Sequence, residues 1–354
     1  MSEAPEVLLL HVVDEPGQLG GVERVLELLG RGLAGGPWRL SAAVNEGTLH
    51  ERWSAAGLDV ATLPPRRPLP GFAAAVHRLL SRRRPAVVHS QHRLTTTLAH
   101  LRPRRGYRLL HTFPVEQHDK RGWTWFGDRQ IAVSAALRDH VIDRYGVDPA
   151  TVEVVYNGVP PAPPGLEGRP PRGDDRVRAA VVARLTEQKG HRVLVEALRR
   201  MEAPVRAELE IVLVGDGPDR EAIERCAEEA GVAAALRFEG HREDVYPYLA
   251  GADFALLPSL WEGFPLVVLE AFECGRPVVA SAVAGVPEIV DETVGRLVGA
   301  GDPDALAAAL TDTVRARESL PRLGEAALER VRTRFSLQRM VDGYARAVER
   351  LLAP

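Results

Sequence analysis

Two stretches of the chain hold the residue types needed to grip a diphosphate. Residues 183–190, ARLTEQKG, place Arg184 and Lys189 five apart around a loop with Gly190 at its turn. A planar guanidinium fork and a compact ammonium can together neutralise a diphosphate without a metal. Lys189 is one of only two lysines in an arginine-biased chain, although a merely solvated basic loop would have the same composition. Residues 262–270, EGFPLVVLE, bracket an apolar run with two carboxylates, Glu262 and Glu270. Pro265 stands where a helix would begin, since its missing N–H is no loss in the first turn. Such a helix would aim the amides of Leu266 and Val267 forward, a partly positive end suited to phosphate. Glu270 would then lie inside an apolar helix, either as a carboxylate in need of a partner or as a solvated residue on an amphipathic face.

Other residues carry weaker signals. Gly20 and Gly21, in GGVE, read as following a first strand and opening a first helix; they suit close approach of a ligand or simply a tight turn. Gly215, in VGDGPDR, resembles part of a dinucleotide fingerprint, but Arg220 occupies the place of the third glycine. That stretch reads better as a tight turn beside a nucleotide's sugar or base. His111, in LLHTFP, closes a strand and can either bond a ligand hydroxyl or serve as a core histidine. His11, inside an apolar strand, reads as structural, and His89 and His92 lack a third metal ligand. Asp302-Pro303-Asp304 reads as a helix cap. No serine–histidine–aspartate set and no pair of hydrolytic carboxylates can be picked out.

These residues need a scaffold, and the pattern supplies one. The 354 residues suit two domains, with 45% apolar and 26% charged residues as in ordinary globular proteins. No apolar run approaches membrane-helix length. The N-terminus has two acids before a short apolar run and no basic region, so it reads as a first strand and not as a signal peptide. With two cysteines, Cys226 and Cys274, and no metal-ligand spacing, this points to a reducing cytoplasm. The net charge is −3, yet residues 60–115 hold eleven arginines and no acid. Such a face favours an anionic partner, either a membrane surface or an acidic acceptor. Nucleic acid is not expected, because only Phe72, Tyr107 and Phe113 interleave those arginines.

Short β-rich runs alternate with helical patterns throughout, which predicts α/β layers on parallel sheets. Expected strands are 7–13, 40–44, 86–89, 108–112, 130–133 and 152–155, then 177–183, 209–214, 236–238, 254–257 and 277–281. Between the two series lies PPAPPGLEGRPPRGDD, residues 160–175, too rich in proline and glycine for a packed element. The expected division is 1–165, 166–335 and a last helix, 336–354, packing back across the linker. Two such Rossmann-like domains would bind a ligand outside the carboxyl ends of their strands.

Taken in order, these motifs resemble a GT-B glycosyltransferase of the retaining family 4. The resemblance runs from GGVE at 20–23 through NGV at 157–159, ARLTEQKG at 183–190 and VGDGP at 214–218. It continues with ADFALLPSLWEGFPLVVLEAFECGRPVVAS at 252–281 and AGVPEIV at 284–290. It implies a nucleotide-sugar donor held by the C-terminal domain and an acceptor held mostly by the N-terminal one. Arg184 and Lys189 would bind the diphosphate, helped by the amides of Leu266 and Val267. Glu270 would hold the ribose diol, and Glu262, with backbone of Gly263 and Phe264, the donor-sugar hydroxyls. Gly20 and Gly21 would approach the phosphate, Gly215 would border the donor, and His111 would touch the sugar near the reacting carbon. No metal and no cofactor are implied. The expected reaction is hexosyl transfer with retention, from a UDP-sugar before GDP-mannose, to a small molecule, a glycan or a lipid-linked sugar. A GT-B epimerase, a phosphorylase or a non-catalytic nucleotide-binding scaffold are the alternatives. Pro160, after Asn-Gly-Val, and Pro114 depart from the family pattern on the acceptor side. The implied location is the cytoplasm, with peripheral contact at the inner membrane face.

Overall fold

A computed structural model describes residues 4–13, 20–45, 47–102, 106–116, 125–166 and 175–353. The chain divides into two units, Met1–Asn157 with Leu337–Pro354, and Gly158–Ser336. The boundary falls before the proline-rich stretch and not at 165/166. The reason is local: Val159 donates its N–H to Phe335 O (3.3 Å) and bridges Ser336, and the Ala162 N–H reaches Glu273 (3.4 Å). These first prolines therefore belong to the second unit, while 167–174 lie outside the described residues.

The first unit carries seven strands: β1 (Glu6–Leu10), β2 (Arg39–Val44), β3 (Asp59–Thr62), β4 (Val87–Ser90), β5 (Arg108–Phe113), β6 (Arg129–Ala132) and β7 (Val152–Val154). All neighbours are parallel, in the order β3-β2-β1-β4-β5-β6-β7. Alternation along β1 shows why helices cover both faces. Leu8 and Leu10 pack with Phe72, Val76 and Leu80, whereas Leu9 packs with Leu26 and Trp53. The last helix, Leu337–Leu352, also belongs here. It seats closely because two glycines make room. A Cβ on Gly32 would lie 2.2 Å from Val341, and one on Gly343 2.6 Å from Val155.

The second unit has six strands: β8 (Val177–Val182), β9 (Leu209–Val214), β10 (Leu236–Gly240), β11 (Phe254–Leu257), β12 (Val278–Ser281) and β13 (Gly295–Val298). They too are parallel, in the order β10-β9-β8-β11-β12-β13. From β8 the chain runs outward through β9 and β10, and from β11 it runs the other way. The loops after β8 and β11 therefore leave neighbouring strand ends at a topological switch point, where open α/β sheets bind ligands. ARLTEQKG is the first of those loops, and the segment leading into EGFP is the second. In the first unit β1 and β4 stand in the same relation.

Candidate functional site

Backbone contacts hold three loops of the second unit together. The Leu185 N–H donates to Asp216 O at 3.0 Å, and the Asp219 N–H to Leu185 O at 3.1 Å. Gly217 and Gly215 permit this approach. Their Cβ atoms would fall 2.4 Å from Leu185 O and 1.9 Å from Ala183 O, and Gly215 has φ +143. Gly215, expected to border a donor, thus has a packing reason of its own.

The same loop turns through a short 3-10 segment, Glu187–Lys189, and closes at Gly190 in the left-handed region, φ +66. A Cβ there would sit 1.9 Å from Pro258 O, so only glycine lets this loop lie on the one after β11. The Leu260 N–H donates to Gln188 O (2.8 Å), and Gln188 Nε2 donates to Trp261 O (3.0 Å). On this frame Lys189 Nζ meets Glu262 Oε1 at 2.6 Å. Ser259 Oγ, on a fully buried residue, donates to the same oxygen at 2.7 Å. Glu262 itself is 6% exposed, a carboxylate that burial would penalise heavily without such donors.

Pro265 proves to be the N-cap (φ −71, ψ 120), and the helix spans Leu266–Glu273. Extended backbone at a cap suits proline as well as the first turn does. Val268 N–H bonds Pro265 O at 3.3 Å, whereas among the described residues the Leu266 and Val267 amides meet no acceptor. Val267 and Glu270 are the half-buried positions of an otherwise buried helix. Three residues apart, they share its one open face. Gly263 O accepts the Gly285 N–H (3.1 Å), which ties AGVPEIV to the same place, and Phe264 packs on Phe335 (5.4 Å). Arg184 is exposed at the start of its loop. Arg184, Lys189, Glu262, Gly263, Phe264, Leu266, Val267 and Glu270 thus come together at one end of one sheet.

Gly20, Gly21 and His111 lie in the first unit. Gly20 N–H donates to Glu23 Oε2 (2.7 Å), and Glu23 Oε1 bonds His11 Nε2 (3.0 Å). Burial pushes the Glu23 carboxyl up, but the His11 bond and charge and the Gly20 amide outweigh it and hold it below the ordinary range. Gly21 opens the helix Gly21–Leu33, and a Cβ there would meet nothing within 4 Å. Packing does not require this glycine. His111 is fully buried, against the rings of Phe113 and Phe126. Its Nδ1 bonds Thr96 Oγ1 at 2.8 Å, while Nε2 has no partner among the described residues. Burial first, then the charges of His89, His92 and Arg93, lower its pKa to about 3, so the ring is neutral at pH 7.

His89 Nε2 bonds Thr112 Oγ1 (2.9 Å) and His92 Nδ1 accepts the Leu94 N–H (3.1 Å). Asp302 caps the helix Pro303–Arg315 through the N–H groups of Asp304 and Ala305. A cavity of about 540 Å³ lies elsewhere in the second unit, beside Val279, Arg296, Asp312 and Leu320, and includes none of the expected site residues. Sequence reasoning missed Ser259 and Gln188. Ser259 lies three residues before Glu262, close enough along the chain for its hydroxyl to reach the carboxylate across a turn.

A family model described as "Glycosyltransferase Family 4" matches residues 19–162, and one described as "Glycosyl transferases group 1" matches 176–315. The chain belongs to the group 1 glycosyltransferases. Among curated members of the family, a D-inositol 3-phosphate glycosyltransferase of Geodermatophilus obscurus is 35% identical over 64% of this chain and 54% of its own length. The lipopolysaccharide core biosynthesis glycosyltransferase LpsD of Rhizobium meliloti is 31% identical over 57% of this chain and 58% of its own. The chain therefore spans about half the length of the curated relatives it matches. The Anabaena Alr3699/HepE structure solved with UDP shares the fold, at TM-score 0.80 and 19% identity, over 98% of this chain and 100% of that one. The same protein solved with UDP-glucose matches 97% and 99%. Two parallel-sheet Rossmann-like units, as in those structures, make this a GT-B fold. Among the described residues no helix is long and apolar enough to cross a membrane.

Proposed function

We propose that this chain transfers a hexosyl group from a nucleotide-diphosphate sugar to an acceptor hydroxyl, with retention of anomeric configuration and without a metal. The observation that carries the reading is the Lys189–Glu262 pair, four residues before a helix whose Leu266 and Val267 amides meet no acceptor among the described residues. Lys189, Arg184 and those amides hold the diphosphate and stabilise it electrostatically as it leaves. Glu270, on the open face of that helix, takes the ribose diol, and Glu262 takes donor-sugar hydroxyls. Gly21, which packing leaves unexplained, admits the phosphate close to backbone, and neutral His111 offers Nε2 to the sugar. A UDP-sugar is preferred to GDP-mannose, supported by the fold's likeness to a protein solved with UDP and UDP-glucose.

The acceptor is a small molecule, a glycan or a lipid-linked sugar received by the first unit. Arg67, Arg78, Arg82 and Arg84 are exposed there, which supports an anionic acceptor or membrane surface. The test is a panel of UDP- and GDP-sugars with cell extract as acceptor source, with and without EDTA, the product's anomeric configuration read by NMR. Transfer that survives chelation and retains configuration is expected. Loss of transfer under EDTA, or inversion, would overturn the metal-free retaining reading.

A further inference from the structure

We propose that Ser259 and Lys189 act together as positioning groups for Glu262, fixing one carboxylate oxygen so that the other is presented to a hydroxyl of the donor sugar. This rests on the donor-site reading above and adds to it how sugar recognition is built. Oε1 of Glu262 receives two donors, Lys189 Nζ at 2.6 Å and Ser259 Oγ at 2.7 Å. Oε2 accepts no hydrogen bond among the described residues, and it is not among the buried polar atoms cut off from solvent. Two donors on one oxygen set the plane of the carboxylate, and a carboxylate can accept further bonds on the other.

The holders are themselves held. Ser259 is fully buried, and its neighbour Leu260 is bonded to Gln188 O, the residue next to Lys189. Gln188 Nε2 returns a bond to Trp261 O, next to Glu262, and Gly190 rests against Pro258 O. The two loops are thus joined through Gln188 and Gly190, on both sides of Lys189, and the carboxylate is aimed before any ligand arrives. Lys189 has three donors and uses one on Glu262, which leaves others for phosphate. One ammonium then touches both the group that leaves and the residue that reads the sugar. Because a carboxylate oxygen accepts hydrogen bonds, the donor it selects carries an uncharged hexosyl group with a free hydroxyl at that position.

Ser259 should therefore be sensed by the sugar and not by the nucleotide alone. Calorimetry on the full chain uses UDP and UDP-glucose, or GDP and GDP-mannose if the wild type binds only those. Ser259→Ala leaves the affinity for the bare nucleotide within about twofold. It weakens the sugar nucleotide, or lowers kcat/KM for transfer, about tenfold, as for one lost hydrogen bond to a charged group. In a Glu262→Ala background Ser259→Ala costs nothing more. Equal weakening of nucleotide and sugar nucleotide, no change in either, or additive losses in the double variant would overturn the proposal. If the wild type binds none of the four ligands, the donor-site reading itself fails.

Discussion

The Lys189–Glu262 contact makes a prediction that needs no ligand. The side chains are 22% and 8% exposed. Lys189→Met leaves a nearly buried carboxylate with Ser259 as its remaining donor. Breaking a fully buried pair from one side costs about 3–5 kcal/mol. Lysine's partial exposure lets water replace some of the lost interaction, so about 2–3 kcal/mol is expected here. Glu262→Gln keeps an oxygen for Ser259 and Lys189 but loses the charge assistance, at about 1 kcal/mol. The double variant buries no unpaired charge and should cost little more than Glu262→Gln alone. The two changes together should then fall short of their sum by about 2 kcal/mol. Native-state hydrogen exchange on peptides from the buried strand Leu209–Val214 isolates the second unit from the first. Lys189→Met should speed exchange there roughly 30- to 150-fold, the equivalent of 2–3 kcal/mol, and adding Glu262→Gln should recover most of it. Strictly additive costs, or a silent Lys189→Met, would refute the reasoning.

Other outcomes follow from the same geometry. Gly190→Ala combines a left-handed backbone with a Cβ 1.9 Å from Pro258 O, so it should cost about 2 kcal/mol or more in urea unfolding and weaken nucleotide binding. Gly21→Ala meets nothing within 4 Å, so its stability should stay within about 0.5 kcal/mol while transfer from a sugar nucleotide falls; unchanged kinetics would remove Gly21 from the donor site. Burial lowers His89 and His111 to about 3 and His92 to about 4, below the ordinary histidine value. The unfolded chain therefore binds protons that the fold refuses. The first unit should be most stable above pH 6.5 and lose up to about 1.4 kcal/mol per pH unit for each such histidine as pH falls toward 4. Exchange measured on first-unit peptides at pH 7 and 5, corrected for intrinsic rates, checks this; equal stability at both would contradict it.

Where the sequence reading succeeded, a strong local signal existed. Buried strands such as Leu209–Val214 and Phe254–Leu257, and the last helix Leu337–Leu352, have the bounds their apolar patterns suggest. The strands Asp59–Thr62 and Gly295–Val298 escaped notice because each is a four-residue edge strand with little buried surface. Each pairs only with the strand just before it in the chain, so little in its own sequence marks it. The Lys189–Glu262 bond joins residues 73 apart and exists because β8 and β11 are adjacent, which no local pattern announces. Glu270 was ambiguous for a different reason. Helical spacing allows either a buried or an open face, and only the packing of Leu266–Glu273 decides that Val267 and Glu270 share the open one. His111 shows the reverse: its place in a strand was plain, yet its full burial comes from Thr96, Phe113 and Phe126 around it.

The central claim, that residues around Lys189 and Glu270 hold a nucleotide diphosphate, is tested most directly by titration calorimetry of UDP, or of GDP if that is what binds. Wild type, Lys189→Ala and Glu270→Ala are compared under one buffer. Each variant should lose about 1–3 kcal/mol of binding free energy, roughly 5- to 150-fold in Kd, as expected for a charged hydrogen bond removed. Unchanged affinity in both would contradict the assignment of the donor site to these residues.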